Sequence, residues 1–407
     1  GLFLSKGYMS GSVTRLERYQ QCPFKFYAQY GLKLEPRRVR SFGAPEIGTF
    51  LHANLERLGN YLLENNKQWR DLNEEEQQNL CRSVADEILQ ENQGGEETSD
   101  AYQKAIEQRV QRTLHVTVDR LVEWSKRSDF DTKYLEQDFG RQGGWDPIRV
   151  PLGEDRYLRL IGQIDRIDEY IRDGQTYGMV IDYKSGGAHV TAQDVYYGLK
   201  LQLMTYLLAL ETAYGKAEGK SMSPAAVIYS YVKNPKIPAG TPISYEDAVS
   251  LAKESNAWQN SGYFSDDIEL LTHIDNKFLS YGAKQGPYVP IATKKDQTIS
   301  SRDLRKVKNP GEFDVLCRYT NHVMAETGRN IGDGQFPIKP YQLNGFRPCT
   351  YCDYHTVCRF DSSRNKYNYL SGLSEDDALE RMKEVLNDGN NSNDRNNSNE
   401  GGENHGC

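Results

Sequence analysis

Acidic residues and a lysine fall in two short segments near the middle of the chain. The first, LIGQIDRIDEY, contains Asp165, and the second, MVIDYKSGG, contains Asp182 and Lys184. Side chains two residues apart on a strand share a face, so Asp182 and Lys184 are predicted to point the same way, with Tyr183 opposite. A hairpin would place Asp165 beside them. Two carboxylates can hold a hard divalent cation, and the lysine can orient a water molecule and offset charge on a phosphate.

Two further groups of residues have spacings that could complete such a site. Gln202 and Tyr206 lie four residues apart on the predicted helix that follows, so they share a helix face and can reach back over the strand ends. His52 follows Gly48 on an early predicted helix. A lone histidine there is usually structural, but beside two carboxylates it becomes a candidate metal ligand. The competing interpretation is a surface hairpin with ordinary ion pairs.

The stretch RPCTYCDYHTVC near the C-terminal end contains Cys349, Cys352 and Cys358, with His355 between the last two. This spacing indicates a metal site that lacks one ligand. His355 would complete a local Cys3His zinc site, but four ligands in so short a segment are crowded. Cys22, which precedes a proline as one cysteine does in bacterial ferredoxins, would complete the site from a distance. The residues alone favour Cys22 slightly and leave both alternatives open.

Hydrophobic periodicity predicts the elements that must position these residues. The first third of the chain is predicted to be helical, residues 1–11 show no clear element, and a strand–helix–strand unit follows. Such a βαβ unit gives the fold class α/β. The predicted helices span 12–30 with an interruption at Cys22-Pro23, 45–64, 73–90, 100–127, 191–214, 244–259, 312–327 and 375–386, and the predicted strands span 134–139, 157–168, 178–184 and 225–232.

The composition excludes several classes of protein. The 407 residues carry a formal net charge of −7, which does not indicate a generic basic nucleic-acid binder, although basic runs occur at 33–40 and 302–308. Seven cysteines are too sparse for a disulfide scaffold, and their clustering favours a metal. No apolar stretch reaches the roughly 18 residues of a transmembrane helix, and no signal peptide opens the chain. We therefore expect a cytoplasmic protein with no membrane partner.

Taken in chain order, the motifs resemble the PD-(D/E)XK nuclease superfamily, in its RecB-like branch. The matching residues are Gly48-x3-His52, Gly162-x2-Asp165-Arg166, Asp182-Tyr183-Lys184 and Gln202-x3-Tyr206. The resemblance implies a restriction-endonuclease-like fold with a mixed central sheet flanked by helices. It also implies roles for the site residues: Mg²⁺ bound by His52, Asp165, Asp182 and the Tyr183 carbonyl, an attacking water served by Lys184, and a site and DNA held by Gln202 and Tyr206.

The opening segment SVTRLERYQQCPFKFYAQYGLKLEPRR, with GAPEIGTFLH after it, resembles the start of the C-terminal nuclease domain of the B subunit of AddAB-type helicase–nucleases. This resemblance covers about residues 10–360. It implies that one cysteine before the nuclease core joins three after it around a [4Fe–4S] cluster that acts as a structural staple. In this chain the four ligands are then Cys22, Cys349, Cys352 and Cys358, and the remaining cysteines are Cys81, Cys317 and Cys407.

The same resemblance implies a reaction and partners. The activity would be that of a Mg²⁺-dependent DNA exonuclease acting on the 5′-ended single strand of unwound duplex, with a 3′-hydroxyl and a 5′-phosphate as products. The chain would work in a heterodimer with an A subunit that carries the helicase and a second nuclease. The biological role would be the processing of DNA double-strand breaks for recombinational repair.

These expectations divide the chain into six parts. We expect a leader cut from a longer chain, a mainly helical part carrying Cys22 and His52, the nuclease core with its following helices, an iron–sulfur lobe, a C-terminal helix and a disordered tail. The corresponding ranges are 1–11, 12–130, 131–340, 341–366, 367–386 and 387–407.

Two alternative functions remain open at this point. The first is a cluster-stapled DNA-binding scaffold whose carboxylates are structural and which catalyses nothing. The second is a standalone RecB-like repair exonuclease with no helicase partner. A zinc ion in place of the cluster is a further alternative for the cysteine lobe.

Overall fold

The computed structural model describes residues 3–35, 44–92, 100–217, 221–232, 244, 247 and 258–397. The helix predicted over 244–259 lies almost entirely outside the described residues, as does most of the first basic run. Within the described ranges, none of the helices combines the length and the apolar character that spanning a membrane requires.

Helices and strands alternate along the chain much as the periodicity predicts. The strands are β1 Tyr8–Gly11, β2 Asp131–Phe139, β3 Ile148–Gly153, β4 Arg156–Leu160, β5 Gly162–Arg172, β6 Gln175–Lys184, β7 Met222–Tyr231, β8 Ser261–Ser265, β9 Val307–Lys308, β10 Tyr341–Gln342 and β11 Asn368–Tyr369. The α-helices are α1 Val13–Gln21, α2 Pro23–Phe26, α3 Ala44–Glu64, α4 Glu74–Asn92, α5 Asp100–Ser125, α6 Ala192–Tyr196, α7 Gln202–Ala217, α8 Ile268–Ile274, α9 Pro310–Gly332, α10 His355–Cys358 and α11 Glu375–Asn397.

A six-stranded mixed sheet forms the centre of the fold, with the strand order β2-β5-β6-β7-β8-β9. Strands β5 and β6 are antiparallel neighbours, as the hairpin prediction required. Strands β6 and β7 are parallel and are joined through α6 and α7, which confirms the predicted βαβ unit. A second sheet, with the order β1-β4-β3, lies outside this centre. The α/β class and the mixed central sheet flanked by helices are therefore confirmed.

Both faces of the central sheet are buried. Val180 packs into one hydrophobic cluster, which contains much of α7 and α9, whereas Met179 and Ile181 pack into the other, which contains α3, α4 and α5. Successive side chains of a strand point to opposite faces, so this alternation fixes the orientation of β6. Tyr183 lies with Ile181 in the second cluster. Asp182 and Lys184 therefore face the α7 side, as predicted.

Two predicted elements are each split in the structure. The strand predicted over 157–168 is two strands, β4 and β5, which belong to different sheets and meet at Ile161. Gly162 permits this crossing, because an added Cβ would lie 2.5 Å from the ring of Phe139. The helix predicted over 191–214 is two helices, α6 and α7. Gly198 adopts a left-handed conformation, with φ of 68°, and this conformation ends the first helix.

The two ends of the chain also differ from the predictions. Residues 8–11 form β1, which pairs in parallel with β4, although no element was predicted there. The C-terminal helix α11 runs to Asn397, whereas the predicted helix ended at Leu386 and a disordered tail was expected from residue 387. Four-residue strands such as β1 carry too little pattern to be recognised without their partner strand.

Glu211 on α7 provides a test of the packing between α7 and α9. Burial raises the pKa of Glu211 to about 7 from 4.5, and the negative charge of Asp314 on α9 adds to the rise. The protein therefore loses stability as the pH rises through this range, because the folded state must ionise a partly buried carboxyl group. We expect Glu211→Gln to be more stable than the parent at about pH 8, by on the order of 1 kcal/mol, and to match it at about pH 5.

Melting temperatures of parent and variant at the two pH values check this expectation. Glu326→Gln is the control, since Glu326 is an exposed carboxylate on α9. A difference between parent and Glu211→Gln that is equal at both pH values would contradict it.

Candidate active site

The β5–β6 hairpin brings two carboxylates together at its buried end. Arg166 pairs with Ile181 across the two strands, so the preceding Asp165 and the following Asp182 are neighbours. Asp165 is 8% exposed and Asp182 is 1% exposed. The Asp165 Oδ2 atom accepts a hydrogen bond of 2.7 Å from the backbone N–H of Tyr183. This bond fixes one carboxylate against the strand that carries the other.

Lys184 provides the positive charge nearest to Asp182. Its ammonium group forms an ion pair with Asp182 Oδ2 and lies 5.5 Å from the ring centroid of Tyr229. The Lys184 side chain is 30% exposed, so it leads from the buried carboxylate to solvent. Apart from this ion pair, Asp182 Oδ2 has no hydrogen-bond partner in the described structure. A buried carboxylate oxygen that is paired only with a partly exposed lysine is suited to bind a further cation.

His52 reaches the same place from helix α3. Its Nδ1 atom lies 3.4 Å from Asp165 Oδ2. Gly48 allows the helix to come this close, because an added Cβ would lie 3.1 Å from the hydroxyl oxygen of Ser185, just beyond β6. Burial lowers the pKa of His52, with Asp182 opposing the shift. A neutral imidazole is the form that binds metals, so the environment of His52 favours a ligand role.

Glu136 is a further acidic residue of the site, and the sequence analysis did not identify it. Leu135 and Gln137 of β2 pair with Arg166 and Ile164 of β5, which places Glu136 across from Asp165. His52, Glu136 and Asp165 each offer a ligand atom, and these atoms lie within 4.8 Å of one another. Glu136 has a left-handed backbone conformation, with φ of 44°, inside a strand. Its position in the predicted strand 134–139 was the one available signal.

The electrostatics of the cluster show that it lacks positive charge. Burial raises the pKa of Glu136 to about 8, and Asp165, Glu56 and Asp182 add to the rise. Burial likewise raises the pKa of Asp165 and of Asp182, and the charge of Asp165 raises the latter further. Carboxylates crowded in a low-dielectric site repel one another unless a cation compensates them. The residues present therefore fit a divalent metal ion with oxygen and imidazole ligands.

Gln202 and Tyr206 lie together on the first turns of α7, as their spacing predicted. The Gln202 side-chain amide donates a hydrogen bond of 2.8 Å to the Tyr206 hydroxyl oxygen. Burial raises the pKa of Tyr206, and the negative charges of Asp182 and Asp165 raise it further. Tyr206 is therefore a neutral phenol close to both carboxylates, and its own proton remains available for an oxygen acceptor.

Arg166, which follows Asp165 in the sequence motif, has a structural position. Its guanidinium group binds the Asp168 carboxylate through two hydrogen bonds of 2.7 and 2.6 Å. Both side chains are buried, and the guanidinium lies 5.6 Å from the Trp124 ring centroid. A bidentate ion pair of this kind has strict geometry. The ion pair lies within β5, its guanidinium packs on Trp124 of α5, and it does not face the cation site of the carboxylate cluster.

A second candidate site is a pocket in the cysteine lobe. Cys22, Cys349, Cys352 and Cys358 all line it, together with His355. Burial raises the pKa of the Cys22 thiol and of the Cys358 thiol, and backbone N–H groups close to each sulfur oppose the rise. Such donors stabilise thiolate ligands, so the pocket fits a metal or cluster bound by sulfur. The other two described cysteines, Cys81 and Cys317, are buried in the two hydrophobic clusters.

The local backbone does not by itself exclude His355 as a ligand. A 3-10 helix spans Pro348–Tyr351, and α10 begins only at His355, so the cysteines are not aligned along one continuous helix. The backbone of this segment therefore gives no argument of its own against a local zinc site. The presence of Cys22 in the same pocket is what favours the four-cysteine set.

The second basic run is less available than its sequence indicates. Lys308 is 2% exposed and its ammonium lies 3.3 Å from Glu375 on α11. Lys306 forms an ion pair of 3.2 Å with Asp303. Arg302 and Arg305 are the exposed members of the run. Lys308 is therefore not part of a solvated basic face.

The central hairpin of the mixed sheet carries Asp165 and the pair Asp182 and Lys184. Gln202 and Tyr206 on the following helix and His52 on a preceding helix lie beside it. This combination of fold and site defines a class of metal-dependent nucleases. The chain belongs to the PD-(D/E)XK nuclease superfamily, whose sequence pattern matches residues 10–359.

The chain is also similar to larger curated proteins, each named as the B subunit of an ATP-dependent helicase/deoxyribonuclease. It is 31% identical over 380 residues to the protein of Clostridioides difficile (strain 630), covering 92% of this chain and 32% of the relative. It is 33% identical over 391 residues to that of Clostridium perfringens (strain SM101 / Type A), covering 94% of this chain and 33% of the relative. The chain thus spans about a third of the length of these relatives.

The position of Glu136 predicts its part in metal binding. We expect Glu136→Gln to weaken the binding of Mn²⁺ at least about tenfold, because the substitution removes one carboxylate from the cluster. Isothermal titration of the metal into parent and variant measures this change. Asp138→Asn is the matched control, since Asp138 lies two residues further along β2 and pairs with Arg141 at 2.7 Å. Equal affinities for parent and Glu136→Gln would contradict the assignment.

Proposed function

We propose that the chain is the nuclease part of a helicase–nuclease B subunit and that it hydrolyses DNA phosphodiester bonds with Mg²⁺. The observation that carries the proposal is the convergence of His52, Glu136 and Asp165 beside the Asp182–Lys184 pair at one end of the central sheet. Structural carboxylates are normally paired with cations or hydrogen-bond donors. This cluster instead has more buried negative charge than Lys184 can compensate.

The metal ligands in this proposal are His52, Asp165, Asp182 and the Tyr183 carbonyl, with Glu136 added from the structure. Bound Mg²⁺ would supply Lewis-acid chemistry and compensate the charge that develops on the phosphate. The chain's own contribution is to hold these oxygen and nitrogen atoms in place before substrate arrives. The hydrogen bond from Tyr183 N–H to Asp165 and the burial of Asp182 support this role.

Lys184, Gln202 and Tyr206 act on the substrate side. The Lys184 ammonium, held by Asp182 and pointing towards solvent, is placed to orient the attacking water and to stabilise negative charge on the phosphate. Gln202 fixes the Tyr206 hydroxyl by a hydrogen bond, so that its proton can be donated to a phosphate or carboxylate oxygen. The products would be a 3′-hydroxyl and a 5′-phosphate.

The substrate we propose is the 5′-ended single strand of an unwound duplex, degraded as an exonuclease. The name of the relatives, the B subunit of an ATP-dependent helicase/deoxyribonuclease, supports DNA as the substrate and a helicase in the same complex. The polarity and the exonuclease action rest on the resemblance to the family. We infer a heterodimer with an A subunit that carries the helicase, acting in the cytoplasm on DNA double-strand breaks during recombinational repair. Tyrosines that stack on bases and arginines such as Arg302 and Arg305 would bind the strand without sequence preference.

We further propose that Cys22, Cys349, Cys352 and Cys358 bind a [4Fe–4S] cluster. Their common pocket supports a set of four sulfur ligands, and the resemblance of residues 10–360 to the nuclease domain of the B subunit favours the cluster over zinc. The cluster would join α2 to the C-terminal lobe, closing a loop of more than three hundred residues between Cys22 and Cys349. The gain in stability from closing such a loop is largest for long loops.

The decisive test of catalysis is Asp182→Ala. We expect the variant in the full-length protein, assembled with a partner whose own nuclease has been inactivated, to digest end-labelled single-stranded DNA more than about a hundredfold more slowly than the parent. DNA binding should be retained, because Asp182 is buried and does not contribute to the surface. The end label also reports the polarity of digestion.

Asp173→Asn, in the turn of the same hairpin, is the control and should digest DNA at the parent rate. Digestion by Asp182→Ala at the parent rate would favour the non-catalytic DNA-binding scaffold. Digestion that begins at the 3′ end would contradict the proposed polarity and leave the rest of the proposal standing.

The cysteine assignment predicts different effects for two neighbours in the pocket. Cys22→Ala should lose the iron and lower the melting temperature of the anaerobically purified protein, since it removes a ligand and opens the long loop. His355→Ala should keep the iron and its visible absorbance. Iron analysis and absorbance spectra measure both. A colourless parent with one zinc per chain, or loss of metal in His355→Ala, would refute the assignment.

A further inference from the structure

A carboxylate from the first helix binds the start of the helix that carries Gln202 and Tyr206. The Glu17 Oε1 atom accepts a hydrogen bond of 2.7 Å from the backbone N–H of Leu201 and one of 3.2 Å from that of Gln202. These two groups belong to the N-terminal turn of α7, whose N–H groups have no partners within the helix. A negative charge at this end is also favoured by the helix dipole. Glu17 therefore caps α7 from a distant part of the chain.

The cap lies next to functional residues. Gln202, whose N–H binds Glu17, also holds the Tyr206 hydroxyl through its side chain. Lys184 and Lys200 act electrostatically on Glu17, and burial raises the pKa of its carboxyl group. The position of the first turn of α7 thus decides where Gln202 and Tyr206 point relative to the carboxylate cluster.

Helix α1 has a fixed position of its own, so it can act as a reference for α7. Gln20 donates a hydrogen bond of 2.6 Å to Thr327 on α9, and the Tyr19 hydroxyl donates one of 2.7 Å to the Gln335 carbonyl. The turn before α7 also packs on α1, because a Cβ added at Gly198 would lie 2.8 Å from Gln20. The C-terminal end of α1 is followed directly by Cys22, a residue of the cysteine pocket.

We propose that Glu17 is a positioning residue of the nuclease: it locks the first turn of α7, and with it Gln202 and Tyr206, to the helix that ends at the cysteine pocket. This inference rests on the proposed function. Groups that must be held at a reacting phosphate lose rate steeply when displaced, and a shift of about 1 Å can cost up to about a hundredfold. Glu17 touches neither substrate nor metal ligands in this scheme and acts through α7.

Two substitutions separate the reach of the Glu17 side chain from its charge. Glu17→Gln keeps an acceptor oxygen at the same distance but removes the charge. Glu17→Asp keeps the charge but withdraws the carboxylate from the two N–H groups by one methylene. If Glu17 acts as a cap, single-turnover digestion of end-labelled single-stranded DNA at saturating DNA and Mg²⁺ should fall about tenfold in Glu17→Asp and stay near the parent rate in Glu17→Gln.

Thr14→Ala is the matched control, because Thr14 is an exposed residue of the same helix. It should digest at the parent rate. The measurements use the full-length protein with a partner whose own nuclease has been inactivated, and DNA affinity and iron content should be the same in all four proteins. A parent-like rate in Glu17→Asp, an equal loss in Glu17→Gln, or a loss in Thr14→Ala that matches Glu17→Asp would each overturn the proposal.

Asp182→Ala, assayed in parallel, distinguishes this inference from the proposed function. A parent that digests DNA, together with an inactive Asp182→Ala and a fully active Glu17→Asp, would leave the nuclease assignment standing and remove the role of Glu17. A parent with no activity would instead refute the function itself.

Discussion

The antiparallel register of β5 and β6 is the constraint on which the site depends. Because Arg166 pairs with Ile181, Asp165 and Asp182 become neighbours, and the backbone of one strand donates a hydrogen bond to the carboxylate of the other. A shift of one residue would turn one of these carboxylates to the opposite face. The register is in turn held by burial on both faces, since Val180 and Ile181 belong to different hydrophobic clusters. The packing of the apolar core thus specifies where the polar groups of the site lie.

This arrangement costs stability when no cation is bound. Burial raises the pKa values of Asp165, Asp182 and Glu136, because the negative charges of these carboxylates are solvated less well in the folded protein than in water. Lys184 compensates Asp182 in part. Such costs are typical of functional sites, where the surrounding fold maintains an arrangement of groups that is unfavourable by itself. The strained backbone of Glu136, at φ of 44° within a strand, belongs to the same pattern.

The sequence predicted the parts of the site that depend on local spacing. Asp182 and Lys184 share a strand face, Gln202 and Tyr206 share a helix face, and the turn between two strands made a hairpin. Glu136 could not be found in this way, because its contact with His52 and Asp165 arises only when β2 pairs with β5, and a single glutamate in a predicted strand has no spacing to interpret. The breaks at Ile161 and Gly198 were missed for a related reason. Each break lies inside a continuous apolar pattern. Contacts with Gly11 and Phe139 fix the position of the first break, and a contact with Gln20 fixes that of the second.

The connection between β6 and β7 explains how α1 and α11, which are far apart in the sequence, both contribute to the nuclease fold. Its two helices, α6 and α7, are each capped by a carboxylate from far away in sequence. Glu375 on α11 accepts hydrogen bonds of 3.2 and 3.1 Å from the N–H of Ala192, the first residue of α6, while Glu17 binds the first turn of α7. Glu375 is itself held by Lys308, so this lysine of the second basic run has a structural role. Gln202 and Tyr206 follow the second cap directly. Segments that contribute no atom to the carboxylate cluster therefore determine where α7 lies, because a helix N-terminus without its cap leaves polar N–H groups unpaired.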